Sequence, residues 1–225
     1  MFLSKINPQK IQQIAPKAGF VGTLFLCFAL IVTIFFYDDP AYQYSILNHF
    51  ISDLGNTKVS PCFWLFSLGL CVGGPCLGIL IVGIALQLNH KIGYAALVVG
   101  LISCVACFFV GIFPADVALA AHLIAALIFF FGALITAALF SVALALDKTG
   151  NIPKIYILPS LLIVINGAIF LALPPESVRE FLKNKDAFQR PDFWINPFWE
   201  WLVLFSILIW AIALSRFLKK NAVKR

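Results

Sequence analysis

The chemically capable side chains of this sequence are few, and they concentrate in one stretch: His49-Phe50-Ile51-Ser52-Asp53-Leu54-Gly55, with Pro61 shortly after. His49 is three residues from Ser52 and four from Asp53, so on a helix all three side chains project the same way. An imidazole beside a hydroxyl and a carboxylate can act as a base, as a ligand or as a hydrogen-bonded cap. Two more such groups follow: Asp116 with His122 at the head of a later apolar run, and Glu200 between Trp199 and Trp201. Histidine and carboxylate donors suit a hydrolytic zinc, and if a metal is held its ligands are Asp53, Asp116, His122 and His49. Against that chemistry, the chain has three histidines and no H-E-x-x-H or nucleophile-elbow spacing. No motif names a cofactor.

These residues have to be positioned by elements that are almost entirely apolar. Hydrophobic residues make up 62% of the chain and charged ones 12%, with a mean hydropathy of +0.99. Soluble chains run at about 45–50% and about 25%. The charges fall in short clusters between apolar runs of about 20 residues, the length a helix needs to cross the hydrocarbon core. The reading is an all-α polytopic membrane protein, one six-transmembrane-helix bundle over residues 1–225. The expected spans are about 16–36, 61–87, 92–113, 117–146, 153–173 and 193–218. The N-terminus lacks a small-residue cleavage site, so it is expected to stay in the mature protein.

Lys and Arg are unevenly shared between the two sides. One side collects Lys5, Lys10, Lys17, Lys91, Lys148, Lys154, Arg216, Lys219, Lys220, Lys224 and Arg225. The other has Lys58 and a segment in which Arg179, Lys183, Lys185 and Arg190 are offset by Glu176, Glu180, Asp186 and Asp192. The first side is expected to be cytoplasmic and to hold both termini. Topology thus accounts for the net charge of +6, and no nucleic-acid partner is expected; the basic tail can touch anionic lipid. The six cysteines lie in or beside apolar spans and read as small buried hydrophobes.

Between the first two spans, Asp39-Pro40 has the form of a helix start and Gly55 that of a stop. Tyr44, Leu47, Phe50, Ile51 and Leu54 share one helical face, and Ser45, Asn48, His49, Ser52 and Asp53 the other. This predicts an amphipathic helix over about Pro40 to Leu54, lying on the outer surface. His122 lies deep enough in the fourth span to need a polar partner, and Asp53 is the partner expected, with Asp116, His49 and Glu200 lining the same outer recess. Gly69, Gly73, Gly74, Gly78 and Gly83 give the second span small-xxx-small spacing, which suits close packing in the chain or a homo-oligomer contact. Trp64, Trp194, Trp199 and Trp201 read as an interfacial belt, and Asn166 as an interhelical hydrogen bond.

The run Ile51-Ser52-Asp53-Leu54-Gly55, then Pro61 and Phe66, then Gly111-Ile112-Phe113-Pro114-Ala115-Asp116 and His122 resembles the bacterial "domain of unknown function 998" membrane family. It also looks like the eukaryotic DRAM/Sfk1 group of six-helix proteins. In layout the resemblance covers about residues 15 to 215, and it points at Ser52, Asp53, Gly55, Pro114, Asp116 and His122. It implies a six-helix bundle, a bacterial inner membrane and, from the eukaryotic group, an association with lipid handling. Three functional classes follow. One is a lipid-binding, sensing or scaffolding protein with an extracytoplasmic polar recess and membrane lipids as partners. Another is a metal-assisted membrane hydrolase acting on a lipid headgroup or amide. The third, a transporter, has neither an inverted repeat nor paired broken helices to support it.

Overall fold

The computed structural model describes residues 8–183 and 188–222. Lys5, Lys185, Asp186, Lys224 and Arg225 of the charge map lie outside the described residues. Seven α-helices occur among the described residues: α1 (Pro8–Phe35), α2 (Phe63–Leu88), α3 (Lys91–Ile112), α4 (Leu119–Leu146), α5 (Ile157–Ala172), α6 (Glu176–Lys183) and α7 (Ile195–Ala222). All but α6 are long and apolar enough to cross a membrane, α5 together with the 3-10 turn Lys154–Tyr156 that leads into it. The chain is a multi-pass membrane protein.

Residue exposure has the pattern that lipid demands. On α1, Val21, Leu24, Phe28, Ile31 and Phe35 recur on one face and are all more than half exposed. A soluble protein would not carry so long an apolar stripe. Opposite it, Gly22, Leu26, Ala29, Leu30 and Thr33 turn inward. Such helices have no hydrophobic reason to associate in lipid, so close backbone approach has to hold them. Gly69, Gly73 and Gly83 of α2 face α1, and Gly74 and Gly78 face α3. All five glycines are therefore used in contacts within the chain.

The six long helices form a ring. Each packs on the next, α5 packs on α7, and α7 returns to α1. Asn166 of α5 donates to Ser206 Oγ of α7 at 2.7 Å, the interhelical bond expected from its place in an apolar span. The half of the ring on the side of Pro8 and Ala222 is filled by Leu80, Ile84, Leu88, Phe140, Leu144, Trp210 and Leu214. The opposite half, called outer below only to name that end, has a looser core around Leu26, Leu30, Phe66, Leu70, Leu204 and Leu208, into which Ile51 and Leu54 of the loop between α1 and α2 are inserted.

That loop is not the amphipathic helix its residue pattern predicts. Residues 42–45 have no regular structure, 46–48 form a turn, and only Ile51–Gly55 makes a short 3-10 turn. Asp39 caps a local turn, accepting from Ala41 N–H at 2.8 Å, and starts no helix. Gly55 does not take the left-handed conformation of a helix stop. Its role is close approach: a Cβ there would meet the Phe66 ring at 2.9 Å. The helix loses because the loop backbone bonds to α7 and its approach. Trp194 N–H donates to Leu47 O at 2.9 Å, Trp201 Nε1–H to His49 O at 3.1 Å, and Ile51 N–H to the Glu200 carboxylate at 2.8 Å. A helical loop would spend the same groups on itself.

Candidate functional site at the outer end of the bundle

The 3-10 turn brings Ser52 and Asp53 to the mouth of the ring, because Ile51 and Leu54 on either side of them are anchored in the outer core. Asp53 Oδ2 accepts from Phe50 N–H at 3.0 Å, closing the turn on itself. The same oxygen forms an ion pair with Arg190 Nη1 at 3.0 Å, the two side chains only 8% and 12% exposed. Arg190 Nη1 also donates to Asn48 O at 3.1 Å, and its guanidinium lies 4.9 Å from the centre of the Phe181 ring. Arg190 is the residue that sequence reasoning missed. It was read as one of several charges that cancel, although an arginine is the natural bidentate partner for a carboxylate at a partly buried site.

The partner shown for His122 is a backbone carbonyl. Its Nδ1 lies 2.7 Å from Phe113 O. A carbonyl only accepts, so Nδ1 carries the proton. The turn at Pro114 folds back and leaves this carbonyl at the end of α3 in need of a donor. His122 is 5% exposed. Asp116 is held by the loop instead, with Oδ2 accepting from Thr57 Oγ1–H at 2.6 Å and from Thr57 N–H at 3.2 Å.

His49 is fully buried and belongs to a structural lock. Its ring centre lies 5.6 Å from that of Tyr37, 6.4 Å from Tyr42 and 4.9 Å from Tyr44. Nδ1 lies 2.7 Å from Asn48 Oδ1 and 3.3 Å from Ser45 N, and Asn48 Nδ2–H donates to Pro191 O at 2.9 Å. Burial, reinforced by the Arg190 charge, lowers the His49 pKa to about 4, so the ring is neutral at physiological pH. Burial and the Asp53 charge push the Tyr37 and Tyr44 hydroxyls upward. Tyr44 O–H donates to Phe50 O at 3.0 Å.

Three cavities surround these groups. A central one of about 70 Å³ runs into the outer half of the ring between α1, α2, α3, α4 and α7, lined by Leu26, Phe66, Leu70, Phe129, Leu204, Leu208 and other apolar groups. A recess of about 280 Å³ lies between α4, α5, α6 and the loop. Ser52, His122, Ala126, Phe130 and Glu200 line both, so the two spaces meet there. Leu123 and Leu127 line the recess and are also exposed on the outer surface of α4, so the recess reaches the lipid side of the bundle. The third cavity, an outer vestibule of about 530 Å³, is lined by Tyr37, Tyr42, Lys58, Asp116, Arg190 and others, and shares Asp53 and Phe181 with the recess.

The six candidate residues therefore divide. Ser52, Asp53, His122 and Glu200 line one recess. Asp116 lines the vestibule, and His49 lines neither space. Among the described residues, no three His, Cys, Asp or Glu side chains gather as a metal site, so Asp53, Asp116, His122 and His49 are not a common set of ligands. Of the tryptophans read as a belt, Trp64 is 56% exposed, but Trp194 and Trp201 are buried. They hold the loop and α6: Trp194 Nε1–H donates to Ser177 Oγ at 2.9 Å.

A family model described as "Protein of unknown function (DUF998)" matches residues 20–216. No curated protein and no solved structure matches the chain.

Proposed function

This chain belongs to the DUF998 family, and from that premise we propose that it binds a membrane lipid, with an acyl chain in the outer half of the ring and the headgroup at Ser52, Asp53, His122 and Glu200. The observation that carries the reading is the junction of the two cavities. An apolar space inside the bundle and a recess reaching the lipid side share one short polar wall. An apolar cavity of this kind stays dry and takes up apolar molecules. The space of about 70 Å³ compares with about 10–15 Å³ for one water on the same scale. An amphiphile entering sideways past Leu123 and Leu127 places its chain in the first space and its polar end beside the second.

Lys10, Lys17, Lys91, Lys148, Lys154, Arg216, Lys219 and Lys220 sit at the end of the ring that holds the termini and the two short connections. By the positive-inside rule this end is cytoplasmic, and the lipid site then opens on the outer leaflet of a bacterial inner membrane. The test is native mass spectrometry of protein purified in a neutral detergent. A phospholipid mass retained at one per chain is the expected result, lost in Ala126→Phe, which fills the junction. No retained lipid, or retention unchanged by Ala126→Phe, overturns the proposal.

A further inference from the structure

Resting on that lipid-binding reading, we infer that the recess selects a headgroup bearing a primary ammonium. The polar wall is made of acceptors. Glu200 is only 8% exposed yet lines both cavities. Among the described residues, the one hydrogen bond to its carboxyl group is from Ile51 N–H to Oε2. Asp53 lies close enough for the two carboxyls to repel, and its bonds to Phe50 and Arg190 both fall on Oδ2. Ser52 adds a hydroxyl to the same wall. Among the described residues, neither the recess nor the central cavity is lined by a lysine or arginine. Arg190 and Lys58 line the vestibule on the far side of Asp53, and Arg190 is taken by the ion pair. His122 commits its Nδ1 to Phe113 O.

A buried carboxyl beside a second carboxyl is costly unless a positive charge or several donors meet it. A primary ammonium brings both, with three N–H bonds that can span Glu200 Oε1, Asp53 Oδ1 and Ser52 Oγ. An anionic or polyol headgroup brings no positive charge to meet Glu200, whereas Asp53 already has Arg190. The shared chemistry is an ammonium at the polar end of an alkyl chain. An aminophospholipid and a free long-chain amine both carry it.

The experiment titrates delipidated full-length protein with didodecanoyl phosphatidylethanolamine and with the matching phosphatidylglycerol, read by native mass spectrometry. Wild type is expected to favour the ethanolamine lipid by at least about tenfold, the discrimination of one charge-assisted hydrogen bond. Glu200→Gln keeps an acceptor for Ile51 N–H and is expected to bring the two lipids to near parity without loss of fold. Dodecylamine competing with the bound lipid assigns the ammonium alone as the recognised group, and failure to compete assigns the whole aminophospholipid headgroup. Equal binding of the two lipids to wild type, or selectivity unchanged in Glu200→Gln, overturns the headgroup inference and leaves the lipid site standing. Binding of neither lipid overturns both.

Discussion

Replacing Arg190 with alanine tests how the outer loop is clamped to the bundle. The ion pair with Asp53 is short and its side chains are 8% and 12% exposed. Truncating one partner of a buried pair costs about 3–5 kcal/mol, whereas exposed pairs contribute about 0–1 kcal/mol. This pair lies closer to the buried limit. The remaining carboxylate keeps its bond from Phe50 N–H, which softens the loss. Arg190 also gives up a bond to Asn48 O and its stacking on Phe181, the latter contributing about 0.5–1 kcal/mol. Arg190→Ala is therefore expected to destabilise the folded protein by about 3 kcal/mol in reversible SDS-titrated unfolding from mixed micelles. A double-mutant cycle with Asp53→Asn isolates the pair, and a coupling of about 2 kcal/mol is expected. A coupling below about 0.5 kcal/mol, the level of a surface pair, refutes the clamp.

Other outcomes follow from the same geometry. His49 is held at about 4 in the folded chain against 6.5 for an unperturbed histidine. The unfolded state then binds more protons between those values, so stability is full above about pH 6.5 and falls as pH drops toward 4. His49→Gln is expected to flatten that part of the curve of unfolding midpoint against pH, and an unchanged slope contradicts the assignment. Gly74→Ala places a Cβ 2.7 Å from Cys104 O and is expected to cost about 1–3 kcal/mol through strain between α2 and α3. At Gly73 the added atom meets nothing closer than 3.7 Å, so Gly73→Ala in the same unfolding assay is expected to change stability by less than about 0.5 kcal/mol. Asn166→Leu removes one interhelical bond and is expected to cost only about 0.6 kcal/mol, the average for such bonds in a membrane.

The six spans were legible because a run of apolar residues long enough to cross lipid has few other uses. Their ends agree with the sequence reading to within a few residues in most cases. The exception is α1, which continues back through Pro16 to Pro8, well before the apolar run begins. The first outer loop was not legible. The pattern from Pro40 to Leu54 suits a helix, but partners far along the chain, Trp194, Trp201 and Glu200, take its backbone groups, and no local pattern records them. Arg190 was hidden by the same long-range geometry. The helix α6 could have been found: Glu176 in its first turn, Lys183 in its last, and Val178, Phe181 and Leu182 at helical spacing after Pro174-Pro175 form a standard signature. For the candidate site, the sequence singled out six residues, and four of them line one recess in the structure. It could not show that His49 faces a tyrosine cage or that Asp116 turns to Thr57.

Photo-crosslinking with a phospholipid carrying a diazirine on its acyl chain tests the central claim most directly. Adducts mapped by peptide sequencing are expected on the inward-facing Leu26, Leu70, Leu204 or Leu208 of the wild-type protein in vesicles, and are expected to disappear from these positions in Ala126→Phe. Adducts confined to outward-facing residues such as Leu24, Phe28 and Ile31, with none inside the ring, would contradict the account.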